Sequence, residues 1–325
     1  MARIALAILL CFASVATAAT DDARMLAQRA IDLSNELKLD DAARAAEEAV
    51  ALARESRDDV DLARALDASG VVARMRGEAD AAMSATEEAR QHAEAANDVD
   101  TLARVHNDLG RIYDDLLFDA LRAREAYERA LALSPHTDDR AIVSRILNNL
   151  GNLQRRENNF AAAVSFYTRA ATEAKKARDR WGALTAEHNI GLVYSQQNDP
   201  ALALTHLRRA LALERALGSN ASAARTLLSI SEARRALRDA SGAAEDLRRS
   251  RILATRAGDR VTVATAMLRE GELQLNARQL SAANATVDRS IATFEQIGAS
   301  SSLPLALTFR ARIRVAQKRF SDAMS

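Results

Sequence analysis

Four side chains of one segment, Arg104, Asn107, Asp108 and Arg111, stand at i, i+3, i+4 and i+7, the spacing that places residues on one face of a helix. The pattern returns as Arg145, Asn148, Asn149 and Asn152, and again as Thr185, His188, Asn189 and Leu192, while Arg64 and Arg225 continue the arginine row on either side. An Asn amide can pair with both the C=O and the N–H of an extended peptide, and a guanidinium can grip a carboxylate through two parallel N–H bonds. Arg74, Arg155 and Arg156 add positive charge on the same side, and Asp67, Asp114 and Asp115 offset part of it. Such a face suits an acidic peptide, or one ending in a free carboxylate. The same residues also suit an ordinary solvated helix face on which Asn bonds locally, and both readings stand at this point.

Other chemistry is thin. The five histidines show no pair at i, i+4 and no metal-ligand spacing, and Glu187-His188 lacks a second His. There is no Gly-rich phosphate loop and no Gly-x-Ser-x-Gly elbow. Cys11 is the sole cysteine and lies in the N-terminal apolar segment, so thiol chemistry is not expected of the mature chain. Lys plus Arg (45) nearly balances Asp plus Glu (44), a field too weak to point to nucleic acid. No catalytic residue, cofactor or metal is therefore expected, and an enzyme is not.

The elements that position the Asn/Arg row are helices. Gly (11) and Pro (3) are scarce among 325 residues, and Ala, Leu, Arg and Glu dominate. A small residue recurs at Ala30, Gly70, Gly110, Gly151, Gly191, Ser231, Gly271 and Ala311, every 40 residues except for one step of 41, whose extra residue falls in the turn 114–120. Gly in mid-helix costs about 1 kcal/mol relative to Ala and calls for a packing reason, here the close crossing of two helices. Val105, Leu109, Ile112 and Tyr113 form one apolar stripe of a first helix, and Ile146, Leu150 and Leu153 another. The second helix repeats small-large-small, as in Ala123, Tyr127, Ala130 and in Ala203, Leu207, Ala210. Turn-forming breaks such as Asn97-Asp98, Asn198-Asp199-Pro200 and Gly258-Asp259 separate helices of about four turns. Trp181 is expected to pack between repeats.

A small residue preceded by Leu or Ile, Tyr three later (Tyr113, Tyr194), Ala about twelve later and Ala about nineteen later resembles the tetratricopeptide repeat signature. The 40-residue period resembles the longer-helix class of that family found in kinesin light chains and bacterial regulators. The resemblance implies an all-α fold, a right-handed superhelical solenoid of antiparallel helix pairs, stabilised by neighbour interfaces. Seven full repeats plus the first helix of an eighth (305–319) would occupy residues 20–325. First helices line the concave groove of such arrays. The expected peptide-binding residues are thus Arg104, Asn107, Arg111, Arg145, Asn148, Asn149, Asn152, His188, Asn189 and Arg225, in a non-enzymatic scaffold for a protein or peptide.

Residues 1–19 stand apart. Arg3, the apolar run 4–15 and Ala16-Thr17-Ala18 have the form of a cleaved export signal. The competing membrane anchor would need an apolar run of ~20 residues. Export without disulfides in an Ala/Arg-rich chain fits the bacterial periplasm, with no membrane insertion after cleavage. A second reading takes the chain as the periplasmic sensor region of a truncated membrane-bound signalling enzyme, such as a histidine kinase or diguanylate cyclase.

Overall fold

The computed structural model describes residues 21–36 and 38–324, with side chains through Lys318; the proposed signal 1–19, with Cys11, lies outside the described residues. Described residues form helices and connections, with no strand among them. In chain order the helices are α1 (21–35), α2 (Leu39–Ser56), α3 (Asp59–Arg76), α4 (Ala79–Ala96), α5 (Val99–Asp115), α6 (Ala120–Leu133) and α7 (Ile142–Arg156). Then follow α8 (Phe160–Ala177), α9 (Arg180–Gln196), α10 (Pro200–Ala216), α11 (Asn220–Ala236), α12 (Ala240–Arg256), α13 (Arg260–Asn276), α14 (Leu280–Gln296) and α15 (Leu303–Met324). The chain divides into two compact units between Asn159 and Phe160. Unit 1 carries α1 to α7 and unit 2 carries α8 to α15.

Within each unit successive helices pack against each other, and first helices also touch first helices: α5 lies against α3 and α7, and α11 against α9 and α13. Most helices are 17 or 18 residues long, close to five turns at 3.6 residues each rather than the four expected. The last helix also runs beyond the expected 305–319, to Met324.

The recurring small residue has the role its position demands. A Cβ at Gly110 would lie 2.4 Å from Cε1 of Tyr127, and one at Gly191 would lie 2.7 Å from Cγ of Leu207. Gly70 meets Thr86 and Gly271 meets Val287 in the same way. In these four pairs the middle residue of the second helix thus sits on the hydrogen-only face of a glycine, a contact that interior packing density requires to be filled. Ser231 holds the same place in α11, buried, with its hydroxyl donating to the Leu228 carbonyl at 2.6 Å.

Helix ends follow one rule about every 20 residues. A left-handed residue closes a helix and, in most cases, an Asp opens the next. Left-handed backbone occurs at Arg57, Gly77, Asn97, Phe118 and Asn158 in unit 1, and at Arg178, Asn198, Gly218, Arg238, Gly258, Arg278 and Gly298 in unit 2. Asp58, Asp98, Asp119, Asp179, Asp199, Asp239 and Asp259 each accept from a backbone amide of the first turn that follows. Among the connections after α2, the one from α6 to α7 alone lacks a left-handed residue. There α6 stops early at Leu133 and a short 3-10 turn, Ser134–His136, leads into α7. Trp181, expected between repeats, is instead 53% exposed at the second position of α9.

Candidate functional site

The arginine row is in large part a device for joining repeats. On α3, Arg64 reaches 34 residues ahead and donates to Asp98 at 3.2 Å, the residue that caps α5. On α11, Arg225 likewise donates to Asp259, the cap of α13, at 3.1 Å. Asp98 also takes the Thr101 amide and hydroxyl, and despite burial pushing its carboxyl up, these bonds and Arg64 hold it below the usual carboxylate range. Each such arginine ties one first helix to the start of the next.

Arg104 departs from the rule. Its counterpart would be Asp139, but that residue lies in the irregular connection before α7, where its carboxylate accepts from the Ala141 amide at 3.0 Å and pairs with Arg145. Arg104 is left donating to the Thr101 hydroxyl at 2.9 Å, with no carboxylate paired to it among the described residues. The broken connection thus releases one guanidinium from structural duty.

Around it opens a cavity of about 750 Å³, lined by Arg64, Asp67 and Arg74 of α3, Arg104, Asn107, Asp108 and Arg111 of α5, Arg145 of α7, Asp139, and Arg24, Gln28 and Asn35 of α1. That is within the range of small-ligand sites. Most of its charges are already matched: Arg24 with Asp61, Arg74 with Asp115, Arg111 with Asp108. Arg74 is buried, and burial first and Arg111 second pull it below its ordinary value. Asp67 is 5% exposed, has no ion pair among the described residues, and keeps its Oδ1 buried without a hydrogen-bond partner. Burial, then the Asp108 carboxylate, pushes its carboxyl up to about 8 against the pull of Arg104, Arg145 and Arg111.

Of the residues expected from the sequence, Arg104, Asn107, Arg111 and Arg145 come together on this wall. The Asn row lies deeper than an open face. Asn107 and Asn148 are buried; Asn149 donates to Asn107 Oδ1 at 2.8 Å, and Asn148 donates to the Ser144 carbonyl of its own helix at 3.2 Å. Asn148 therefore follows the local-bonding alternative, and Asn149 joins α7 to α5. Asn152 is half-buried on α7, outside the cavity wall.

In unit 2, His188 and Asn189 are half-buried and Arg225 is exposed. The Thr226 hydroxyl donates to Glu214 Oε1 at 2.8 Å, which leaves its oxygen to accept from His188 Nδ1 at 2.9 Å. Burial, with a smaller contribution from Arg225, lowers His188 to about 4, so its imidazole is neutral at pH 7. Ser222 completes the chain on Glu214 at 2.7 Å. His188 and Arg225 are thus engaged in joining α9, α10 and α11 to their neighbours.

Arg24 and Asp67 are among the wall residues outside the expected peptide-binding set, and the same 40-residue step finds both. One step back from Arg64 lies Arg24, and one step back from Asn107 lies Asp67. Among the described residues no group of three or more His, Cys, Asp or Glu is placed to hold a metal ion, and no helix is long and apolar enough to cross a membrane.

Residues 142–216 match the tetratricopeptide repeat family. No curated protein sequence matches the chain. Among solved structures, it is similar to BtubC from P. vanneervenii at 22% identity, covering 71% of this chain and 92% of that one with a TM-score of 0.56. It is similar to a signal transduction ATPase with numerous domains from Pyrococcus horikoshii, a protein with a tetratricopeptide repeat sensor, at 14% identity and a TM-score of 0.69, covering 85% of this chain and 41% of that one. The Rap conjugation gene regulator of plasmid pLS20, in complex with the Phr* peptide, shares 14% identity over 93% of this chain and 97% of its own, with a TM-score of 0.56. At these identities the likeness is one of fold: stacked helix pairs of the tetratricopeptide type, an architecture suited to holding protein or peptide.

Proposed function

We propose that the chain is a non-enzymatic binding scaffold of the longer-helix tetratricopeptide class, and that its unit 1 cavity holds an acidic side chain or terminal carboxylate of a peptide or protein. The observation that carries this reading is Arg104, a guanidinium without a carboxylate partner on the wall of a 750 Å³ cavity. An unmatched guanidinium can take a carboxylate through a two-pronged, charge-assisted contact. The peptide held by the Rap regulator lends the general idea support. The test is binding of N-acetylated peptide pools, one with free C-terminal carboxylates and one amidated, to the wild type and to Arg104→Ala. The free-acid pool should be retained by the wild type and weakened at least tenfold by the substitution; equal binding to both proteins would remove the cavity from the binding site.

The form of residues 1–19 supports export to a bacterial periplasm. Mass spectrometry of the protein recovered from a periplasmic fraction should then show a chain without those residues; an intact N-terminus would argue against cleavage, and absence of the protein from that fraction against export. A second reading, the sensor region of a membrane-bound signalling enzyme, draws on the ATPase from Pyrococcus horikoshii, of which this chain spans 41%. Reading the encoding DNA past Ser325 tests it: an apolar run of ~20 residues is the expected sign, and an immediate stop codon would refute it.

A further inference from the structure

Asp67 is the carboxyl that the ion pairs of the cavity wall leave over. Asp108 is matched by Arg111 and Asp139 by Arg145, whereas Asp67 pairs with nothing among the described residues. Its charged surroundings come from every side of the cavity. From α5 it faces Arg104, Asp108 and Arg111, and from α7 Arg145. Its own helix adds Arg64 and Arg74, α1 adds Arg24 and the connection before α7 adds Asp139. Arg64, Arg74 and Arg24 are held by Asp98, Asp115 and Asp61, so the guanidinium left without a match is Arg104. An ionised Asp67 would be a buried anion beside Asp108, with its Oδ1 lacking any hydrogen-bond partner among the described residues, an arrangement that disfavours the charged form. The protonated acid has one O–H to donate, and Asp67 Oδ1 has no hydrogen-bond partner among the described residues.

We propose that Asp67 determines specificity by donating its carboxyl proton to a ligand carboxylate seated against Arg104, so that binding and proton uptake are linked. This rests on the reading of the cavity as a carboxylate site. An O–H to carboxylate bond is charge-assisted and short, and the neighbouring guanidinium fixes the second oxygen of the ligand. The incoming negative charge strengthens the hold of Asp67 on its proton. Once Asp67 ionises, two carboxylates face each other with no proton between them, and affinity falls by up to tenfold per pH unit.

The experiment titrates an N-acetylated peptide pool built from Ala, Leu, Ser and Asn, with a free C-terminus, into the full chain at pH 6.5, 8 and 9.5. The C-terminally amidated pool is the control, and the proteins are wild type, Asp67→Asn and Arg104→Ala. The wild type should lose about tenfold in affinity for the free-acid pool between pH 8 and 9.5. Asp67→Asn keeps the shape and an N–H donor, and its affinity should stay level across that range. A wild type flat with pH, or an Asn variant as pH-sensitive as the wild type, overturns the proton link while Arg104→Ala still weakens binding. If Arg104→Ala binds as the wild type does, the carboxylate reading itself fails and this inference with it.

Melting provides a check without ligand. The folded-state value of Asp67, about 8, stands above the ordinary Asp value of about 3.9. The unfolded chain therefore gives up its proton first, and stability present at pH 4 is lost as pH rises to 8. Asp67→Asn lacks this loss and should gain in melting temperature over the wild type between pH 4 and pH 8. A constant difference between the two proteins at both pH values overturns the proposal.

Discussion

Arg104 on α5 and Arg225 on α11 hold the same place in the repeat, and their surroundings differ. Arg225 is paired with Asp259, the cap of the next first helix, across a regular connection. Arg104 has a hydroxyl for a partner, because the connection from α6 to α7 is irregular and its Asp139 is occupied by Arg145. The contrast extends to the next position. In unit 2, His188 is neutral and tied to Thr226 and Glu214; in unit 1, the matching position one repeat before α5 holds Asp67, buried and unpaired. Across the regular connection the arginine of the repeat is matched by the Asp that caps the next first helix. Across the irregular one, Arg104 is left without that match.

The comparison assumes a common packing skeleton, and the largest effects test that. Gly110→Val in unit 1 and Gly191→Val in unit 2 should each cost about 3 kcal/mol in chemical denaturation, since each adds bulk against a fully buried Tyr127 or Leu207. A mild effect at one of them alone would mean that the two units do not share the crossing. Thr226→Val should cost about 1–3 kcal/mol, because Glu214 loses a buried donor and His188 its acceptor. A neutral result there would remove the network from the structural account of unit 2.

Smaller effects sharpen the contrast between the two arginines. Arg104→Ala should reduce binding of free-acid peptides at least tenfold, about 1.4 kcal/mol, while the melting temperature stays nearly constant. Arg225→Ala should leave that binding unchanged and lower stability by no more than about 0.5 kcal/mol, since its side chain is largely exposed and the pair is screened. Opposite results for the two variants would reverse their roles. The smallest effect concerns helix closure: Arg278→Gly should raise stability by about 0.5–1 kcal/mol, because a residue with a Cβ is strained at φ 59°. No gain in thermal denaturation would mean that this end is not held left-handed in solution.

Much of the fold was legible before any coordinate. The 40-residue recurrence of a small residue pointed to close crossings of paired helices, and the structure fills them with Tyr127 against Gly110 and Leu207 against Gly191. The breaks were legible as well, through turn- and cap-forming residues such as Asn97-Asp98 and Gly258-Asp259, while the left-handed backbone at the arginines was not. Helix length was underread by about a turn, since the capping pairs hold each helix to its last turn. The site was half legible. Arg104, Asn107, Arg111 and Arg145 meet at one wall, but periodicity alone could not tell that Asn148 turns to the Ser144 carbonyl or that Arg225 is claimed by Asp259. Partners such as these lie 4 and 34 residues away, and the choice among them depends on where the next helix begins.

What the sequence determined by itself is the alternation of helices, the crossing points and the place of the polar row, because periodicity and residue size act locally and repeat. Which members of that row are consumed in holding repeats together, and which are left to face a cavity, was decided by the tertiary structure. A guanidinium or carboxyl is matched or unmatched according to what another helix brings within about 3 Å of it, and a single irregular connection between α6 and α7 changes that distance without changing the pattern.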